Sequence, residues 1–203
     1  MTLRLDHRLR DFFQVYLRDQ RSVSPNTIKS YRDTFKLLLA HLASRRHGSR
    51  PLTVEDLDPK TILAFLRHLE DPAFGRGNCA QSRNLRLAAI QCFFKYLALH
   101  HPAVERQAKR ILAIPVKRTA PKAPQSLDRN ELEILLAQPR VSHADGVRDL
   151  AILVFLYNTG ARAQEAADAR EGWFDLPNRT VSIIGKGQRR RQTPLWPFTA
   201  RLL

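Results

Sequence analysis

Cysteine is almost missing from this chain. Cys79 and Cys92 are the only two, and their spacing fits no zinc template. A disulfide framework is therefore excluded as the source of stability, and a reducing compartment is the natural inference. The first residues, Met1 to Arg8, contain no apolar stretch of the kind a secretory signal needs. No apolar run reaches membrane-spanning length either. These absences predict a soluble cytoplasmic protein that makes no membrane contact. Histidine stops at His143 and tyrosine at Tyr157, so residues 158–203 hold neither an imidazole nor a phenol. No internal repeat or low-complexity tract is visible.

Acidic residues are also scarce. Nineteen Asp and Glu face 34 Lys and Arg, for a net charge of +15 and a pI near 10.8. Such a field attracts polyanions, of which nucleic acid is the commonest in a cell; a merely basic, soluble scaffold would share it. The excess is uneven: residues 1–118 carry 22 cations against 10 anions (+12), and residues 119–203 carry 12 against 9 (+3). Arginine far outnumbers lysine. Guanidinium forks suit phosphate and guanine edges, although a GC-rich genome gives the same bias.

Against a hydrophobic content of 43%, helical periodicity dominates the first half. Leu5, Leu9, Phe12, Phe13, Tyr16 and Leu17 predict a helix over 5–20. Ser24-Pro25 caps a second, with Ile28, Tyr31, Phe35, Leu38, Leu39 and Leu42 inward and Arg45-Arg46-His47-Gly48 at its end. Asp58-Pro59 opens a third. The fourth spans about 80–99, with Leu85, Ala88, Ala89, Cys92, Phe93, Tyr96 and Leu97 able to face a core. Its first turns gather Arg83, Asn84 and Arg86, with Lys95 further along. This chemistry suits base edges in a major groove, or equally a solvated polar face. A short helix near 105–112 follows. Residues 113–125 then read as a proline-rich extended linker whose cations, Lys117 and Arg118 among them, can track a phosphate backbone.

Asp128 and Glu131 have capping-box spacing, and Leu132, Leu135 and Leu136 supply an apolar stripe. A helix apolar nearly all round, 150–156, reads as the centre of a second domain. Gly160 breaks it, and Arg162 leads a further helix to about Arg170, with Glu165 three residues on. A half-buried arginine needs an anion; Glu165 can buttress it or simply neutralise it. Val181 to Ile184 and Arg189 to Thr193 predict a hairpin turning at Gly185-Lys186-Gly187. Lys186 at its tip is either a poised cation or an ordinary turn lysine.

The order of these pieces is a basic helical domain, a proline linker, an apolar helix, Thr159-Gly160-Ala161-Arg162-Ala163-Gln164-Glu165, then strand, Gly185-Lys186-Gly187, basic strand and Pro194-Leu195. It closely resembles the tyrosine recombinase (phage integrase, Xer-like) family over essentially the whole chain. The resemblance implies a mainly α protein: a SAM-like four-helix core-binding domain at 1–112, the linker at 113–125, and at 126–203 the first part (helices plus β-hairpin) of a catalytic domain. It also implies that Arg162 and Lys186 are catalytic, the arginine holding the scissile phosphate and the lysine protonating the leaving 5′ oxygen, with Glu165 supporting. The expected DNA contacts are Arg83, Asn84, Arg86, Lys95, Lys117, Arg118, Arg189 and Arg190. The expected partners are double-stranded DNA and other recombinase protomers, without cofactor or metal. The family's His-x-x-Arg box and nucleophilic tyrosine have no counterpart after Lys186. The expectation is therefore a truncated integrase-type protein, inactive alone. The alternative is a non-catalytic DNA-binding module that competes with or regulates an intact recombinase.

Overall fold

The structure, a computed structural model, describes residues 3–45, 50–120, 126–185, 187 and 189–203. The chain divides into two compact units, residues 1–122 and 123–203.

The first unit is helical. Helix α1 (Leu5–Asp11) continues into a π-helical segment (Phe12–Gln20). The expected single α-helix over 5–20 thus changes winding halfway, and the spacing of its buried residues shows why. Leu5 and Leu9 lie four apart, an α repeat. Phe12 and Leu17, both at most 1% exposed, lie five apart, which only the wider π turn brings to one face. The Arg21 amide closes the segment by donating to the Tyr16 carbonyl at 3.0 Å, five residues back. Helix α2 (Pro25–Arg45) starts where the Ser24 hydroxyl accepts from the Thr27 amide. Its expected terminator Arg46-His47-Gly48 lies outside the described residues. In α3 (Pro59–Glu70) the Asp58 carboxylate caps the Thr61 amide at 2.7 Å, with proline in the first position.

Helix α4 (Ala80–His100) runs through the core. Its buried face is Leu87, Ile90, Phe93, Phe94 and Leu97, whereas Leu85 is 61% exposed and Ala88 is exposed. Of the expected stripe, Ala89, Phe93, Tyr96 and Leu97 are buried and Cys92 is half-buried, so only its first members, Leu85 and Ala88, face outward. Aromatic rings from three elements (Phe12, Phe35, Phe93 and Tyr96) meet at centroid distances of 5.2–6.4 Å, mostly edge to face. Helix α5 (Glu105–Leu112) completes the unit, burying Ala108 and Ile111.

The stretch expected to begin an extended linker at 113 is instead folded onto this unit as far as Lys117. Ile114 is buried in the core. The Gln91 amide donates to the carbonyls of Ile111, Leu112 and Ile114. Residues 121–125 of the linker lie outside the described residues.

The second unit holds α6 (Arg129–Leu136), α7 (Ala144–Thr159), α8 (Ala163–Ala167), strands β1 (Phe174–Asp175), β2 (Thr180–Ile184) and β3 (Arg190–Pro194), and α9 (Pro197–Leu202). The strands form an antiparallel sheet in the order β1-β2-β3, with Val181 opposite Thr193 and Ile183 opposite Arg191. The capping box before α6 forms in both directions, Glu131 amide to Asp128 and Asp128 amide to Glu131, at 2.9 Å each. The stripe behind it is not buried: Leu135 is 38% exposed, and no residue of α6 is buried. Helix α7 buries Ala151, Val154 and Phe155 but leaves Val147, Ile152 and Tyr157 exposed, so its apolar circumference is covered on one side. Strand β1 and helix α9 are not among the predicted elements, and α8 ends three residues short of the expected Arg170. Among the described residues, no helix is long and apolar enough to cross a membrane.

Candidate functional site

Helix α7 ends because Gly160 adopts φ +60°, a left-handed turn that costs glycine nothing. Two residues later Arg162 stands at the N-cap of α8 in extended geometry (φ −72°, ψ 153°). Its own amide donates to Glu165 Oε2 at 3.0 Å, and its Nη1 to Glu165 Oε1 at 2.8 Å. The Arg162–Glu165 contact expected from the i, i+3 spacing is present.

A second arginine, absent from the predicted site, also grips Glu165. Arg191 donates from Nη2 to Oε2 at 2.7 Å and from Nη1 to Oε1 at 3.3 Å. The carboxylate is buried (6% exposed), whereas the Arg162 side chain is 72% exposed and that of Arg191 38%. Arg191's grip, joined by the Arg162 amide and guanidinium, holds the Glu165 carboxyl at about 2, well below the usual carboxylate range. The strand pattern carried a signal for Arg191. It lies opposite Ile183, which is 1% exposed, so the inward-facing register of β3 contains a guanidinium that needs an anion.

The hairpin neck stands against the same carboxylate. A Cβ on Gly185 would come 3.1 Å from Glu165 Oε1, and the Gly185 amide closes the turn onto the Arg189 carbonyl at 2.8 Å. Gly187 has φ +75°. Lys186, the predicted partner of Arg162, lies outside the described residues. Arg189 and Arg190 are exposed at the start of β3. Two guanidinium groups around one carboxylate leave a net charge of +1, with Arg162 its outward member.

In the first unit, three predicted DNA contacts converge on one another rather than on an open groove. Arg83 is 4% exposed and donates from Nη1 to the Pro115 carbonyl at 2.9 Å and to Asn84 Oδ1 at 3.2 Å. Asn84 pairs with the Lys117 backbone in both directions, at 2.8 and 2.9 Å. Lys117 Nζ reaches Glu70 at 2.6 Å. Arg86 donates to the Ser30 carbonyl and the Thr34 hydroxyl, tying α4 to α2. The expectation of free polar heads on the first turns of α4 is thus corrected: their polar groups lace the stretch 115–117 and α2 onto α4. Lys95 and Arg118 are exposed. Among the described residues, no three His, Cys, Asp or Glu side chains are grouped as metal ligands.

A helical unit followed by a mixed unit, with a carboxylate-buttressed arginine beside a glycine-rich hairpin, defines an integrase-type fold. Two family profiles match the chain: "Phage integrase, N-terminal SAM-like domain" over residues 11–101 and "Phage integrase family" over residues 125–203. The chain is 41% identical to the putative integrase/recombinase y4rC of Sinorhizobium fredii over 198 residues, covering 96% of this chain and 58% of y4rC. It is 37% identical to y4rD of the same organism, covering 96% of this chain and 69% of that protein. It thus spans between half and about two thirds of the length of these relatives. The fold is similar to a lambda integrase dimer bound to a COC′ core site, with TM-score 0.69 and 15% identity over 95% of this chain and 49% of that one. The chain belongs to the phage integrase family, that of the tyrosine recombinases.

Proposed function

We propose that the chain binds double-stranded DNA in the cytoplasm and holds one backbone phosphate at Arg162. The observation that carries this reading is the state of that guanidinium. Its carboxylate partner is occupied on both oxygens by other donors, so Arg162 is fixed in place yet 72% exposed. A fixed, outward fork beside a buried carboxylate suits an equatorial phosphate oxygen. The exposed cations Lys95, Arg118, Arg189 and Arg190 supply sequence-independent attraction, while Arg83, Asn84 and Arg86 shape the face on which the first unit meets DNA. Lys186, by the family likeness, donates the proton to the leaving oxygen.

The reading extends to strand exchange only with a nucleophile that these 203 residues do not offer in the family's position. Tyr16, Tyr31, Tyr96 and Tyr157 all precede Arg162, and the Tyr157 ring rests edge-on against Trp196 at 5.2 Å. We therefore infer occupancy of DNA without cleavage by this chain alone, with an additional segment or a further protomer supplying the tyrosine. The test is incubation with a labelled, nicked duplex followed by denaturation. Binding that falls steeply with salt, and no covalent complex, is the expected result. A covalent adduct sinks the occupancy-only reading, and salt-insensitive binding sinks the phosphate reading.

A further inference from the structure

The two oxygens of Glu165 offer about four acceptor positions, and four donors fill them: the Arg162 amide, one Arg162 guanidinium nitrogen, and both terminal nitrogens of Arg191. Arg162 and Glu165 are three apart at a helix start, spacing at which a lone pair can close fork to fork. Here that closure is blocked because Arg191 already occupies a position on each oxygen. Among the described residues, nothing else binds Arg162 Nε or Nη2. Arg191 comes from the start of β3, two residues after Arg189, whose carbonyl closes the neck of the hairpin, so the same contact ties the hairpin to the α8 N-terminus.

We propose that Arg191 is a positioning residue: by saturating Glu165 it keeps the Arg162 fork from collapsing onto its own buttress, and it fixes the hairpin in register with that fork. The proposal rests on the reading of Arg162 as a phosphate ligand. Without Arg191, two acceptor positions open and Arg162 turns inward to fill them, neutralised by Glu165 and lost to DNA. Arg191 acts through Arg162 and itself touches no phosphate.

The test uses the full chain and a short mixed-sequence DNA duplex. Arg162→Gln is expected to weaken binding about tenfold and to lower the salt slope by roughly one counterion. Arg191→Gln is expected to produce the same loss, and the double variant no more than either single change, because both remove one contact. Arg191→Lys, which restores the charge but not the fork, recovers part of the affinity. It also serves if the glutamine variant loses its hairpin amide signals. In Arg191→Gln the Glu165 carboxyl, followed by carbon NMR, still titrates below the ordinary 4.5, because the Arg162 fork has closed on it. Losses that multiply in the double variant, or a Glu165 titration at the ordinary 4.5 in Arg191→Gln, overturn the proposal. If Arg162→Gln binds like the unmodified chain, the phosphate reading itself fails. If Arg162→Gln is weakened and Arg191→Gln is not, only the role of Arg191 fails.

Discussion

Glu165 is the residue on which the second unit's chemistry turns, because a buried carboxylate must be fully satisfied and this one is satisfied by two arginines of unlike exposure. Its depressed folded-state pKa has a definite sign for stability. The interaction is fully present above the ordinary carboxylate value of 4.5 and is lost as pH falls through about 2. Acid titration followed at the hairpin amides should therefore show β3 and the α8 start held together at pH 5 and loosening only towards pH 2. Loss of those signals around pH 4 would contradict the two-arginine grip. Arg83 makes a contrasting residue-scale case. It is buried, with its Nε unpartnered among the described residues and its Nη1 on the Pro115 carbonyl. Arg83→Ala should lower the stability of the first unit by about 1–3 kcal/mol, through the lost bonds to Pro115 and Asn84. Lys95→Ala, at an exposed site, should leave stability within about 0.5 kcal/mol. Thermal melting of both variants distinguishes these roles.

Helix α7 ends where its glycine is expected to end it. Gly160 supplies a left-handed turn that places Arg162 at the next helix start, and nothing lies within 4 Å of the Cβ it lacks. Gly160→Ala therefore creates no clash and isolates the backbone cost. A loss of about 1 kcal/mol in the stability of the second unit is expected, with Gly160→Asn losing less because asparagine tolerates positive φ. Denaturant melts of the two variants give the order directly, and equal stability would show that this turn is not under conformational demand. The π-helical segment is a different kind of element. Its winding follows from where Phe12 and Leu17 must go, not from local propensity, so it is decided by α2 and α4 packing against it.

At the scale of the whole molecule the two units are built unequally. The first buries Phe12, Phe65, Phe93 and Phe94 completely. The second has a cluster centred on Phe155, Val181, Ile183 and Leu195, and leaves Leu127, Ile134, Val141 and Ile152 exposed. Burial of apolar surface is the main source of folding energy, so the unit with the larger core should open last. Hydrogen exchange should show the slowest amides in α3 and α4 and faster exchange throughout α6. Uniform protection across both units would contradict this. The charge is divided the same way, +12 on residues 1–118 against +3 on 119–203, which assigns most of the long-range attraction for a polyanion to the first unit.

The sequence by itself determined the helical first half, the caps at Ser24, Asp58 and Asp128, the break at Gly160, the hairpin and the Arg162–Glu165 pair, because each rests on contacts within a few residues. It also carried the family, since motif order survives without coordinates. Tertiary structure alone decided that Arg191 shares Glu165, across 26 residues, and that Arg83 and Asn84 turn inward to hold the stretch after α5. Periodicity shows which residues can share a face but not which neighbour that face meets, and a long polar side chain takes whichever buried acceptor the fold brings within reach.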